Sequence, residues 1–353
     1  MGKSKLRKVL ILFCGGTISM HKDLKTGALN VSHGMNQFFE IEPRMKSLAD
    51  IHFKFIANID STDADRHLWE SLVDAIEKEY INYDAFLISM GTNTLAYCSS
   101  AISFALTNVG KPVVLTGAQI PIEAISTDGR NNLINALRIC NMDLGGVFVV
   151  FGSKIILGCR AKKVSESDLD AFKTFNDSDF GEIGVGIILN KDSNKAHNEP
   201  LIAKNGFYDN IVCFTMIPGL DPNIIVELIN RGVKSFVLRG YGTGDIPQNF
   251  IPALEYAREK KVPVVVTTQC PGGATALGIN ELGLKALKAG VIQVFDMSME
   301  SMTTKLMWLL HQNISYEKIK GLMQTNLKGE INPSKARIIA SKAMDLEMIQ
   351  VDK

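Results

Sequence analysis

The stretch VLILFCGGT, residues 9–17, decides the fold of the N-terminal half of the chain. Six consecutive apolar residues, Val9–Cys14, followed at once by glycine, are typical of a strand buried in a parallel sheet. Gly15 and Gly16 permit a tight turn and let a ligand approach the main chain. Thr17 then offers a hydroxyl at the carboxyl end of the strand, where ligands bind in open parallel sheets. The alternative is an ordinary turn with a capping threonine.

Short β-branched runs alternate with segments of helical periodicity after this first strand, which predicts an α/β fold. Further strands are predicted at His52–Asn58, Ala85–Met90, Pro112–Gly117, Gly146–Phe151 and Lys154–Arg160. Helices are predicted at Asp65–Tyr80, Thr94–Val109 and Asn131–Cys140.

A polar stretch at residues 191–210 separates this series from a second one of the same kind. We therefore expect an N-terminal α/β catalytic domain at 1–190, a linker at 191–210 and a smaller C-terminal α/β domain at 211–353. The second series predicts strands at Ile211–Ile217, Ser235–Arg239, Val262–Thr268 and Val291–Val294, and helices at Asn223–Arg231, Asn249–Lys260, Gly283–Lys288, Met302–Gln312 and Tyr316–Met323.

Composition excludes several classes of function. The 353 residues carry 38 Lys+Arg against 37 Asp+Glu, a net charge of +1, which argues against nucleic-acid or membrane partners. The six histidines have no metal-ligand spacing, so no metal site is expected. The six cysteines form no Cys-x-x-Cys pair, so we expect buried free thiols. The apolar run Val9–Phe13 is too short for a signal peptide, and a cytoplasmic location is expected.

Polar clusters follow four of the predicted strands besides the first: Asp60–Asp63, Met90–Thr94, Thr116–Pro121 and Arg160–Lys163. Two of these clusters have a purely structural alternative. Asp63 would serve as the N-cap of the next helix, and Lys163 would be a surface charge. In a closed pocket, however, the pKa of a lysine beside a hydroxyl falls, which lets it transfer protons. The side chains in these clusters permit a hydroxyl nucleophile that is activated by a lysine.

These motifs resemble those of the asparaginase family of threonine amidohydrolases, in particular its cytoplasmic type I branch. Cys14-Gly15-Gly16-Thr17-Ile18 is similar to the family's first threonine motif, and Gly91-Thr92-Asn93-Thr94 to its second. The stretches Thr116–Pro121, Ser126–Ala136 and Leu282–Ile331 match as well, so the resemblance covers nearly the whole chain.

The resemblance implies a role for each matching residue. Thr17 would be the nucleophile, and Thr92, Lys163 and the residue at position 93 would form the second catalytic group. Ser61 would bind the substrate carboxylate. The remaining substrate-binding positions would be Gly16, Asp60, Thr62, Gly91 and Ala118. Arg239 matches a position that binds an allosteric amino acid in some type I members; the alternative is a strand-end salt bridge.

Three positions depart from the family pattern. Asn93 replaces an aspartate that supports the threonine–lysine relay and binds the substrate's α-ammonium group, Met90 replaces a histidine, and Ala28 stands where the lid normally carries a tyrosine. Natural divergence explains all three changes, whereas an engineered substrate-trapping substitution would explain Asn93 alone. One physical consequence is a preference for a substrate without a free α-ammonium group, because the side chain of Asn93 is uncharged.

The resemblance therefore implies an amidohydrolase that releases ammonia from asparagine or a modified asparagine, as a homodimer or homotetramer and without a metal or organic cofactor. A catalytically impaired amino-acid-binding homologue is the main alternative. A third is the ammonia-supplying component of a tRNA-dependent amidotransferase. That form carries an extra N-terminal domain, which a first strand near residue 8 disfavours.

Overall fold

The computed structural model describes residues 6–16, 20–22, 29–31, 42–122, 124–190 and 195–332. The chain forms two compact units, Met1–Gly206 and Phe207–Lys353. The first holds a large, mainly parallel sheet and the second a smaller parallel sheet, so the predicted α/β fold class is confirmed. The limits of the proposed domains stay a prediction.

The elements of the first unit begin with the predicted buried strand. Its strands are β1 Lys8–Gly15, β2 Met20–Lys22, β3 Leu29–Val31, β4 Asp50–Ile59, β5 Ala85–Ser89, β6 Leu106–Thr107, β7 Pro112–Thr116, β8 Gly146–Phe151, β9 Lys154–Leu157, β10 Ala161–Lys163, β11 Phe172–Thr174, β12 Gly181–Ile183, β13 Ile187–Leu189 and β14 Ile202–Ala203. Its helices are α1 Met45–Leu48, α2 Arg66–Glu79, α3 Leu95–Ala105 and α4 Gly129–Cys140.

The main sheet has the strand order β13-β12-β9-β8-β7-β5-β1-β4. Strands β4, β1, β5, β7 and β8 are parallel, and β9, β12 and β13 continue the sheet in antiparallel pairs. β5 and β7 are buried along their whole length, as their continuous apolar sequences require. The carboxyl ends of four neighbouring parallel strands, β4, β1, β5 and β7, therefore lie side by side at one edge of the sheet.

Most predicted elements differ from the structure by a few residues at their ends, and two predicted segments differ in kind. The segment Lys154–Arg160 is not one strand, because β9 ends at Leu157 and a 3₁₀ turn at Gly158–Arg160 leads into β10. The predicted helix Thr94–Val109 ends at Ala105, where β6 pairs with β14 from within the predicted linker. A distant pairing partner thus overrides the local helical pattern.

The second unit contains a four-stranded parallel sheet in the order β15-β16-β17-β18. These strands are β15 Ile211–Thr215, β16 Ser235–Gly240, β17 Val264–Thr268 and β18 Ile292–Gln293, and the helices are α5 Asn223–Asn230, α6 Ile251–Glu259, α7 Glu281–Lys288, α8 Met299–His311 and α9 Tyr316–Met323. A wholly buried ion pair joins α8 to the segment after α9: Lys305 Nζ lies 2.5 Å from Glu330 Oε1. Glu330 also accepts the main-chain N–H groups of Leu327 and Lys328.

Candidate active site

The carboxyl ends of four parallel strands bring the sequence-predicted polar clusters to one edge of the main sheet. Gly15 of β1 is in register with Ile59 of β4, Phe13 of β1 with Ser89 of β5, and Ser89 with Thr116 of β7. The loops after these strands begin at Gly16, Asp60, Met90 and Gly117. This edge is where a parallel sheet collects ligand-binding loops.

The first two motifs touch through their main chains. Gly16 has a φ of +89°, and a Cβ built there would lie 2.1 Å from the Gly91 nitrogen. Only glycine fits both this conformation and this contact. The predicted nucleophile Thr17, which follows Gly16 in the chain, lies outside the described residues, as does Ala28.

The loop after β4 supplies a buried serine. Asp60 Oδ1 accepts the Thr62 N–H at 2.7 Å and caps a 3₁₀ turn at Ser61–Asp63. Ser61 is only 4% exposed, and its Oγ accepts the N–H of Asn93 at 3.2 Å. The expectation that Asp63 caps the next helix is wrong, because the side chain of Asp65 accepts the His67 N–H at the start of α2.

Thr92, Asn93 and Lys163 form one hydrogen-bonded cluster. Lys163 Nζ lies 2.8 Å from Thr92 Oγ1 and 2.9 Å from Asn93 Oδ1. Thr92 is buried at the start of the segment leading to α3, whereas Asn93 is exposed. Lys163 comes from β10, outside the main sheet, and its pairing opposite Phe172 of β11 fixes the strand that carries it. The structure thus assembles three of the predicted catalytic side chains.

The orientation of the Asn93 amide follows from its two partners. The ammonium form of Lys163 can only donate, so the oxygen of Asn93 faces it, while Asn93 Nδ2 donates to Thr62 Oγ1 at 3.0 Å. An aspartate at this position would offer Lys163 a full negative charge through the same contact. Asn93 offers a neutral oxygen, so the positive charge of the Lys163 ammonium group is stabilised less than it would be by a carboxylate.

Burial holds the pKa of Lys163 below that of an ordinary lysine, because desolvation disfavours the ammonium form. The negative field of Glu166 opposes this effect but does not cancel it. A lowered pKa increases the neutral fraction of Lys163, and only neutral lysine can accept a proton from Thr92. The cluster is therefore suited to proton transfer.

Two residues that sequence reasoning did not select complete the cluster. Thr92 Oγ1 donates to Gln119 Oε1 at 3.0 Å, and the carboxylate of Asp128 accepts the main-chain N–H of Gln119 at 3.0 Å. The same carboxylate accepts Asn132 Nδ2, which ties it to α4. Their positions after β7 and just before α4 were the available signal, since both lie in the polar stretches that follow β7.

Other predicted site residues contribute differently. The Ala118 side chain is wholly buried in the hydrophobic core of the first unit, so only its main chain can meet a ligand. Met90 is 1% exposed and adds no titratable group where the family has histidine. Gly91 packs against Ser61, since a Cβ there would lie 2.5 Å from Ser61 Oγ.

Arg239 lies in the second unit, at the end of β16. Its Nη1 lies 3.4 Å from Thr215 Oγ1 on the neighbouring strand β15. The side-chain ion pairs found among the described residues do not include Arg239, so the alternative of a strand-end salt bridge finds no support there.

Metal ligands, membrane-spanning helices and cysteine thiols are not part of the site that the described residues form. Among the described residues, no group of three or more His, Cys, Asp or Glu side chains is placed to hold a metal ion. Within the same ranges, every helix is too short or too polar to span a bilayer. Four cysteines are buried free thiols, but Cys213 and Cys270 are exposed, contrary to expectation.

Comparison with known proteins covers both units. The family described as "Asparaginase, N-terminal" matches residues 8–195, and the "Glutaminase/Asparaginase C-terminal domain" matches residues 210–323. L-asparaginase 1 of Escherichia coli (strain K12) is 33% identical over 335 residues, covering 93% of this chain and 98% of that protein.

A second relative has a different name. A glutamyl-tRNA(Gln) amidotransferase subunit of Pyrococcus abyssi is 34% identical over 343 residues, which cover 94% of this chain and 78% of that protein. Among solved structures, the thermostable L-asparaginase from Thermococcus kodakarensis superposes with a TM-score of 0.86 at 34% identity, covering 92% of this chain and 99% of that one. With both family descriptions matched along most of its length, and relatives above 30% identity covering nearly all of it, the chain belongs to the asparaginase family of amidohydrolases.

Proposed function

We propose that the protein hydrolyses the side-chain amide of asparagine or a modified asparagine, with Thr17 as the nucleophile. One observation carries this proposal: the hydrogen-bonded cluster of Thr92, Asn93 and Lys163 lies at the ligand-binding edge of the sheet, beside Ser61. Gly16, the residue before Thr17, packs against Gly91, the residue before Thr92 of this cluster.

The chemistry is acyl transfer in two balanced steps. The Thr17 oxygen forms a bond to the amide carbon, and the C–N bond breaks as nitrogen leaves as ammonia with the proton lost by the hydroxyl. Water then attacks the threonine ester, releasing the acid and returning a proton to Thr17. Neutral Lys163 accepts a proton from Thr92, which prepares Thr92 to activate the nucleophile or the water.

Substrate binding is assigned to the loops around Ser61. Ser61 Oγ accepts the Asn93 N–H, which leaves the serine hydrogen to donate to a substrate carboxylate. Asp60 holds the turn that presents Ser61 and Thr62. The main chains of Gly16, Gly91 and Ala118 offer close approach, and main-chain N–H groups there would stabilise the oxyanion.

Asn93 makes substrates without a free α-ammonium group the favoured class. A cation placed beside Lys163 meets the neutral oxygen of Asn93 rather than a carboxylate. The net repulsion disfavours an ammonium group, whereas a neutral N-acyl group can accept or donate a hydrogen bond at Asn93. We therefore expect N-acylated asparagine to be hydrolysed in preference to free asparagine.

Ammonia release from the full chain tests the proposal. Asparagine, glutamine and N-acetylasparagine are compared, with Lys163→Met and Thr17→Ala as inactive references. We expect ammonia from at least one asparagine derivative, and a loss of at least ~100-fold in both variants. Release of no ammonia from any of the three would rule out simple amide hydrolysis.

An amino-acid-binding protein without turnover is the second candidate, and Asn93 is the observation that favours it. Calorimetry discriminates the two. Micromolar binding of asparagine without ammonia release would establish a sensor, while turnover would exclude it. Given the similarity to part of an amidotransferase, ammonia release that appears only with a partner protein would instead favour the third possibility.

The wider properties in the proposal have separate measurements. We propose a cytoplasmic homodimer or homotetramer that binds a small asparagine-like molecule and neither nucleic acid nor membrane; light scattering gives its mass. We also propose Arg239 as an effector contact. Sigmoidal kinetics that become hyperbolic in Arg239→Ala would support that assignment, and unchanged kinetics would reject it.

A further inference from the structure

Gln119 is half-buried and contacts the Thr92 hydroxyl. Its Oε1 accepts the Thr92 hydroxyl at 3.0 Å, while its Nε2 donates to the main-chain oxygens of Glu166 and Asp168 at 3.1 and 3.3 Å. Those two oxygens can only accept, so the amide cannot be reversed without losing both bonds. The oxygen of Gln119 is therefore held towards Thr92.

The single hydrogen of Thr92 makes this orientation important. A lysine ammonium that donates to Thr92 Oγ1 needs the threonine hydrogen to point elsewhere, and Gln119 Oε1 accepts it. The Thr92–Lys163 pair thus lies between two fixed amide oxygens, those of Gln119 and Asn93. The Asp128 carboxylate fixes the Gln119 main chain, because it accepts the main-chain N–H of Gln119 at 3.0 Å.

We infer that Gln119 is a positioning residue for the reaction proposed above. While Lys163 is an ammonium, Gln119 holds the Thr92 hydroxyl so that its oxygen lone pair faces Lys163; once Lys163 is neutral, the Thr92 hydrogen turns from Gln119 to Lys163 for proton transfer. It also links Thr92 to the segment after β10, which carries Glu166. Because Asn93 supplies no charge, the alignment of neutral hydrogen-bond partners has to do what a carboxylate would otherwise do. The inference rests on the proposed function for its catalytic meaning, but not for its geometry.

The test is the titration of Lys163, which is monitored by NMR of ¹³C-labelled lysine side chains. The variant Lys163→Met assigns the Lys163 resonance. Gln119→Met removes the acceptor, so the ammonium form loses support and the pKa of Lys163 falls by about half a unit or more. Gln119→Glu keeps the shape and adds a negative charge, so the pKa of Lys163 rises.

Gln324→Met is the matched control. Gln324 Nε2 donates to the main-chain oxygen of Gln293 at 3.2 Å in the second unit, so this variant loses an amide hydrogen bond outside the cluster. We expect its Lys163 titration to match that of the unaltered chain. If Gln119→Met fails to fold, Gln119→Ala, which also removes the acceptor, replaces it in the comparison with Gln119→Glu.

The outcomes separate this inference from the proposed function. Opposite shifts in the two Gln119 variants support the positioning role, even in a chain that releases no ammonia. An unchanged Lys163 titration overturns it, even where ammonia release falls, because a purely structural role would lower turnover without moving the titration. Shifts in the same direction in both variants, or an equal shift in Gln324→Met, also overturn it.

Discussion

Asn93→Asp tests whether the charge at this position governs the cluster. At the 2.9 Å between Lys163 Nζ and Asn93 Oδ1, opposite unit charges attract by about 1.4 kcal/mol in water and about 6 kcal/mol at an effective dielectric constant of ~20. Because Asn93 is exposed and Lys163 is half-exposed, the lower value applies. It corresponds to a rise of about one unit in the pKa of Lys163.

The same substitution changes the preferred substrate. A carboxylate at position 93 attracts an α-ammonium group, so kcat/KM for free asparagine should rise relative to N-acetylasparagine by about tenfold, the equivalent of ~1.4 kcal/mol. The assays are ammonia release with both substrates and NMR titration of Lys163.

A matched charge change provides the control for Asn93→Asp. Asn198→Asp acts at an exposed position beside Lys8 and Lys111, where β1 and β7 begin. We expect neither the Lys163 titration nor the substrate ratio to change in that variant. A Lys163 pKa that stays in place in Asn93→Asp would refute the reasoning, as would an unchanged substrate ratio in an active enzyme.

Three further perturbations have defined outcomes. With neutral Lys163 as the proposed proton acceptor, activity should rise with pH through a Lys163 pKa below that of ordinary lysine, and a pH–rate profile without such a limb would contradict this role. Gly91→Ala places a Cβ 2.5 Å from Ser61 Oγ, and should cost about 1–3 kcal/mol in urea unfolding, whereas Gly184→Ala, which meets no atom within 4 Å, should cost less. Lys305→Met leaves Glu330 buried without its partner and should cost about 3–5 kcal/mol; calorimetry that finds no loss would be inconsistent with a buried ion pair.

The buried parallel strands were predictable because their apolar runs are continuous. Gly146–Phe151 has the same limits in prediction and structure, and Ala85–Ser89 and Pro112–Thr116 differ by one residue. The short antiparallel strands Gly181–Ile183 and Ile187–Leu189 were not predicted. They lie among glycine and polar residues, and their stability depends on pairing with each other and with β9.

The candidate site was predictable where the residues match the motifs of the family. Thr92, Asn93 and Lys163 were selected from motifs, and the structure brings their side chains within hydrogen-bond distance. Gln119 was not selected, because a glutamine has many ordinary roles and only its contacts with Thr92 and two main-chain oxygens distinguish it. The role of Thr17 stays a prediction.

The close packing of Gly16, Gly91 and Ser61 has a consequence for how this site can change over time. Three loops from three separate strands meet with no space for an added methyl group, so an enlarging substitution at Gly16 or Gly91 is tolerated better alongside a compensating change in another loop. Removing the Ser61 hydroxyl should partly offset an alanine at Gly91, which makes the two effects non-additive. Mutational routes through this site are therefore restricted in order.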